Sequence, residues 1–337
     1  MPVKKKWLET LEEETLEPNL RICDPHHHLW QHPDSIYLTE DLLKDTNTGH
    51  NVISTVFVEC MSEYHKDSTR ALAPVGETEF IEELAIENAE SNTQTDIARA
   101  IIGFADLSLG DSVEQVFDAH LETSPNRFKG IRHASGWDSS DQIRNSHTNP
   151  TRFLYLDRNF QKGFAKLIDY GFTFDAWLYH PQHEDLLELA RSFPNQIIVL
   201  DHMGGPLGIG PYQTRRLSVF QSWKKTMKQL AECENVVVKL GGLSMALTGF
   251  EWHKKDKPPN SIELAEATAP YFDFCIERFG TKRCMFESNF PVDKVSCSYN
   301  VLWNSFKRIT LSFSEEEKRD LFHDVAAKTY GLKESLI

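Results

Sequence analysis

The sequence predicts a single parallel (β/α)8 TIM barrel, an α/β fold with a short N-terminal extension and extra C-terminal helices. Three observations carry this. Eight short apolar runs alternate with helical periodicities between residues 20 and 330. Polar, ionisable residues recur where those runs end, as they do at the carboxyl ends of barrel strands. The G-x-G-x-x-G turn that usually marks the first strand of a doubly wound open sheet is absent. No composition break or internal repeat divides the 337 residues. Residues 20–337 therefore read as one barrel domain, preceded by a charged extension over residues 1–19 that carries Pro18.

The elements follow in order. The first strand, from residue 20, is short and apolar, and it ends in Asp24-Pro25-His26-His27-His28-Leu29-Trp30. Residues 38–47 read as a short helix, 54–60 as a β-rich second strand closed by Glu59, and 77–90 as a helix. A third strand over 98–105 leads to Asp111, which, with Glu114 three residues later, predicts a helix cap. The fourth strand, 128–133, ends in Arg132 and His133, before a long polar loop over 134–159 that carries Trp137. A helix over 160–170 and a strand over 173–178 lead into Tyr179 and His180. A helix over 185–193 and a strand over 196–200 lead into Asp201, His202 and a glycine-rich turn. A helix over 215–232 precedes the seventh strand, 236–240, which contains Lys239. A loop, a helix over 264–279 and the last strand, 283–286, then open into Glu287-Ser288-Asn289-Phe290-Pro291. Helices over 299–310 and 314–330 finish the chain, the second capped by Ser314 with Glu317.

Composition narrows the function. Lysine and arginine number 36 against 50 aspartates and glutamates, a net charge of −14. That field disfavours nucleic acid and anionic membranes as partners and points to a small-molecule substrate. No apolar run approaches the roughly 18 residues that span a bilayer. The amino terminus, Lys4 to Lys6 followed by Glu12 to Glu14, has no signal-peptide core, so the expected compartment is the cytoplasm. The six cysteines are scattered without a C-x-x-C pair and read as reduced, buried thiols. Nothing calls for an organic cofactor, and a homo-oligomer is compatible with the composition.

In an extended strand, His26 and His28 share one face and His27 takes the other. Two imidazoles then converge where one ion, or one substrate carbonyl, can meet both. Arg132 has two readings, a bidentate clamp for a substrate carboxylate or a structural ion pair. Lys239, within an apolar strand, reads as a paired core lysine.

With these residues assembled, the chain resembles the amidohydrolase superfamily, in the lactonase-like group that includes fuconolactonase and pyrone dicarboxylate lactonase. The resemblance rests on Asp24 to Trp30, Phe128 to His133, Tyr179 to Gln182, Leu200 to Pro206 and Val238 to Gly242. It implies His26, His28 and His180 as ligands of a divalent metal such as zinc or manganese, with His202 as the sixth-strand histidine. The group usually ends its last strand in Ser-Asp-Trp-Pro, whose aspartate takes the proton of the attacking water. Here Asn289 stands in that place, and an amide cannot accept that proton. Glu287, two residues earlier and on the same face of an extended strand, is the expected replacement, with Glu59 as its competitor. Strand positions and the resemblance together assign catalysis to His202, Glu287, Asn289 and Arg132, and substrate binding to Arg132, Glu59 and Trp137. The resemblance implies a hydrolase that opens a lactone or similar cyclic ester. The rivals are a metal-dependent decarboxylase of an aromatic or muconate-type acid and a barrel that binds a metabolite without turning it over.

Overall fold

In the computed structural model, which describes residues 3–91 and 93–332, eight parallel strands neighbour one another in chain order. They are β1 (Arg21–His27), β2 (Asn51–Val58), β3 (Asp96–Gly103), β4 (Phe128–Arg132), β5 (Thr173–Ala176), β6 (Ile198–Leu200), β7 (Val236–Leu240) and β8 (Cys284–Phe286). Residues 1–2 and 333–337, the outer ends of the two expected segments, lie outside the described residues. The sheet closes on itself just beyond β8. The Asn289 amide donates to the His26 carbonyl at 2.9 Å, and the His28 amide to the Phe290 carbonyl at 2.8 Å. Asp24 ties the same seam, accepting from the Ser288 amide at 2.9 Å and from the Tyr299 hydroxyl at 2.9 Å.

The period of two along each strand sorts side chains between the barrel interior and the layer under the helices. Val56, Val58, Ala100, Ile102, Val199 and Met285 form an inner cluster, onto which Tyr330 from the end of the chain packs. Their neighbours Phe57, Ile101, Ile198, Leu200, Cys284 and Phe286 belong to the outer core beneath the helices. The same alternation turns Arg132, Asp175 and Lys239 inward, which is why a fully buried lysine occurs in an otherwise apolar strand.

Several expected boundaries move. The first strand runs on through Pro25 to His27, with a register shift between Asp24 and His27. A hairpin, Trp30–His32 with Ser35–Tyr37, follows it. Asp111 caps nothing: it lies in a 3-10 segment, Leu107–Val113, whose cap is Asp106, accepting from the Ser108 amide. Asn260 caps the helix Ser261–Phe279 with Glu263 as its reciprocal partner, so that helix starts earlier than its apolar periodicity. The final helix is capped by Ser314 with Glu317 as expected, but a π turn over Asp320–Asp324 interrupts it. No helix among the described residues is long and apolar enough to cross a membrane.

Candidate active site at the closing seam of the barrel

The first-strand histidines meet as their spacing requires. His26 Nε2 and His28 Nε2 lie 3.3 Å apart, while His27 faces outward to Thr55 Oγ1 at 2.8 Å and packs on Phe57. His28 Nδ1 must carry the proton it gives to the Val58 carbonyl at 2.7 Å, so its Nε2 presents a lone pair to His26.

Glu287 is fully buried and bridges two imidazoles. Its Oε1 accepts from His202 Nδ1 at 2.5 Å and from the His202 amide at 3.1 Å, and its Oε2 lies 3.0 Å from His26 Nδ1. Burial alone would raise this carboxyl, but His202 and His26 outweigh burial and bring it down to about 2. It is therefore ionised at neutral pH and fixes Nδ1 of His202 as the protonated nitrogen. His202 and Met203 adopt left-handed φ values of 52° and 51°, conformations seldom held by such residues away from functional sites. Two glycines after β7 make room for the pair. A Cβ on Gly241 would sit 2.3 Å from Glu287 Cγ, and one on Gly242, at φ +70°, would sit 2.5 Å from His202 Cβ.

Beneath the histidines lies a buried charge network. Lys239 Nζ is 2.6 Å from Asp175 Oδ2, 3.1 Å from Asp201 Oδ1 and 3.2 Å from His26 Nδ1. The Tyr330 hydroxyl donates to Asp175 at 2.9 Å. Arg132 donates through Nε to Glu59 Oε1 at 2.7 Å and through its second terminal nitrogen to the Glu59 carbonyl. Its remaining nitrogen lies 3.4 Å from His26 Nε2 and 3.6 Å from Asp201 Oδ2. Of the two readings of Arg132, the structure displays the ion pair, with the guanidinium directed into the protein. Glu59 is held as firmly, since its other oxygen takes His147 Nε2 at 2.9 Å. Burial would raise Glu59 too, but His147 and Arg132 bring it to about 2.

Asn289 is not where strand alternation would put it. Because β8 stops at Phe286 and Asn289 takes φ 53°, its side chain turns to Asp293, donating to Oδ1 at 3.2 Å. His180 is buried with its Nδ1 accepting the Leu207 amide at 3.2 Å and its ring edge-on to Tyr212. Trp137 sits in the long loop with its amide on Gln182 Oε1 at 2.9 Å. Among the described residues, the metal-competent side chains whose donor atoms all lie within 4.8 Å of one another are His26, His202 and Glu287; of the expected ligands, His28 and His180 stand outside that group. Sequence reasoning passed over Asp175, Asp201 and His147. The first had a signal, a charged residue alternating with apolar ones in β5, and Asp201 directly follows β6. His147 had none, because its place depends on the path of its loop.

The donor set fits a cation. The buried carboxylates Glu59, Asp175, Asp201 and Glu287 gather round Arg132, Lys239 and the imidazoles of His26, His147 and His202, and Asp175 Oδ1 and both Asp201 carboxylate oxygens are left without a hydrogen bond among the described residues. Burial holds His26 and His28 below the ordinary histidine range. If His26 Nδ1 donates to Glu287 Oε2, which has no other partner among the described residues, lone pairs of His26 and His28 face each other across 3.3 Å. Two imidazole nitrogens so spaced can both reach one ion at the roughly 2.0–2.1 Å of metal–nitrogen bonds.

The family model for amidohydrolases matches residues 23–332. An uncharacterized protein of Sinorhizobium fredii, y4mH, is 33% identical over 93% of this chain and 99% of its own length. An L-fucono-1,5-lactonase of Burkholderia multivorans is 26% identical over 79% of this chain and 80% of its own. A crystal structure of an amidohydrolase from Burkholderia multivorans with bound zinc superposes with a TM-score of 0.71 at 23% identity, covering 93% of this chain and 99% of that one.

Proposed function

Because this chain belongs to the amidohydrolase family and is an enzyme of the hydrolase type, we propose that it opens the ring of a lactone by adding water to the carbonyl. The observation that carries this reading is the Glu287–His202 pair set beside the converging His26 and His28. With Nδ1 of His202 committed to Glu287, Nε2 is left to take a proton from the attacking water as its oxygen bonds to the carbonyl carbon. The ring carbon–oxygen bond then breaks, and His202 returns the proton to the departing oxygen. Glu287 itself is too acidic at about 2 to accept that proton; it orients the imidazole and stabilises its charged form. The cations of Arg132 and Lys239 flank the His26 ring, 3.4 Å from its Nε2 and 3.2 Å from its Nδ1.

Nε2 of His26 and of His28 would hold a divalent ion, with His180 as the third ligand implied by the resemblance. Such an ion would polarise the carbonyl and ease deprotonation of water. Support comes from the buried carboxylate oxygens left without hydrogen bonds beside these histidines and from the zinc in the similar Burkholderia structure.

The test is proton release on mixing the enzyme with L-fucono-1,5-lactone and L-rhamnono-γ-lactone, named for the Burkholderia multivorans lactonase and for an L-rhamnono-gamma-lactonase of Scheffersomyces stipitis that is 22% identical over 93% of this chain and 99% of its own length, and with simpler lactones. It is run with protein as purified, after chelation, and after zinc or manganese is restored. Acid release lost with the chelator and regained with metal is expected. Failure to open any lactone, with carbon dioxide released from an aromatic acid instead, would overturn the reading in favour of decarboxylation.

A further inference from the structure

A cleft with about 210 Å³ of free volume opens beside His180, lined among others by Trp137, Arg152, Phe153, Asp185 and Tyr212. Tyr212 packs edge-on against the His180 ring at 5.0 Å between centroids, so the cleft adjoins the histidine that the resemblance implies as a metal ligand. Arg152 is its cation. The guanidinium lies over the rings of Phe153 and Trp137, at 4.4 Å and 5.6 Å from their centroids. Among the described residues it makes no hydrogen bond and no ion pair, so the edge of its fork remains available for a carboxylate.

The shelf under the guanidinium is held in shape. Gln182 accepts the Trp137 amide through Oε1 and donates through Nε2 to the Ser135 carbonyl at 2.7 Å. Phe153 is 47% exposed and takes φ 62°, a costly conformation for a bulky residue, yet it keeps its ring at the cleft. Of the two acids in the cleft, Asp138 is occupied by the Tyr212 hydroxyl at 2.7 Å and the Ser140 amide at 2.8 Å. Asp185 bears on Arg152 only through space. Arg132, the other arginine considered for a substrate, has its fork closed by Glu59.

We propose that this cleft is a subsite for a carboxylate carried on the substrate ring, taken by the free edge of Arg152 while the flat of the ring lies on Trp137. The substrate class is then a carboxylated cyclic ester. This rests on the lactone-opening reading, and two measurements keep the failures of the two apart.

In the first, 5-oxotetrahydrofuran-2-carboxylate is compared with its carboxamide. The native enzyme should prefer the acid, and Arg152→Gln should raise KM for the acid roughly 10- to 100-fold with kcat held, abolishing the preference. In the second, cyclopentanecarboxylate, which cannot react, is titrated calorimetrically into both proteins. Binding to the native enzyme that is lost in Arg152→Gln supports the subsite. If it is lost while no lactone is opened, the subsite stands and the hydrolase reading falls. Equal binding to both proteins, no binding to the native one, or an unchanged preference for the acid overturns the proposal.

Discussion

Replacing Glu287 by glutamine separates the orienting role of this residue from a purely structural one. The change keeps volume and one acceptor oxygen but removes the negative charge that His202 Nδ1 meets at 2.5 Å and His26 Nδ1 at 3.0 Å. A glutamine also offers an N–H where an imidazole N–H must be received, which favours the wrong tautomer of His202. Positioned acid–base groups contribute about 10²–10⁴-fold, and loss of an orienting carboxylate can reach the upper end of that span. In barrier height this is about 2.7–5.4 kcal/mol. Because Glu287 lies near 2, it is ionised throughout the working pH range, so kcat should fall at every pH tested and not on one limb alone. The assay is steady-state hydrolysis of the best lactone from pH 5 to 9, with thermal melting and metal content measured on the same samples. A variant that melts like the native enzyme and turns over within a few-fold of it would refute the assigned role. One that loses its fold while retaining activity per folded molecule would show that Glu287 serves structure alone.

Arg132→Met leaves Glu59 buried with only His147 as a partner, and should cost about 3–5 kcal/mol in urea denaturation; a loss under about 1 kcal/mol would count against the buried pair. Glu77 is a fully buried carboxyl that burial first, and the charge of Glu59 second, raise from 4.5 to about 8. The folded state thus keeps a proton that the unfolded chain releases near 4.5, and stability contributed by this group falls as pH rises from there to about 8. Glu77→Gln keeps an acceptor for the Cys60 and Ser62 amides and removes that loss, so its melting temperature should gain on the native protein between pH 5 and pH 9; parallel curves would refute this.

Much of the architecture was legible because it follows from periodicity. The eight apolar runs fell where the strands are, and the i, i+2 rule brought His26 to His28 while turning His27 away. The rule failed where its premise did. Glu287 and Asn289 share a face only in an extended chain, and the left-handed turn at Asn289 sends its amide to Asp293. The hairpin after β1 was missed because three-residue strands carry too little alternation to stand out. Asp111 looked like a cap from its spacing to Glu114, but the 3-10 segment leaves Asp106 in that role. Which partner Arg132 takes could not be read from one dimension, since Glu59 reaches it from the end of another strand and is itself held by His147 from a long loop.

The seam that closes the barrel joins positions far apart in the chain. The Ser288 hydroxyl reaches the His26 carbonyl across 262 residues, in the same stretch where Glu287 meets His26. Contacts of that separation form late, because the entropy of closing so long a loop is lost before anything holds the ends together. Helices and the first strand pairs can therefore recover during refolding while the seam that sets Glu287 beside His26 does not yet exist. Return of turnover after denaturation reports the docking of β8 on β1, whereas the far-ultraviolet signal reports earlier events. Comparing the two traces gives this barrel a built-in clock for its final step.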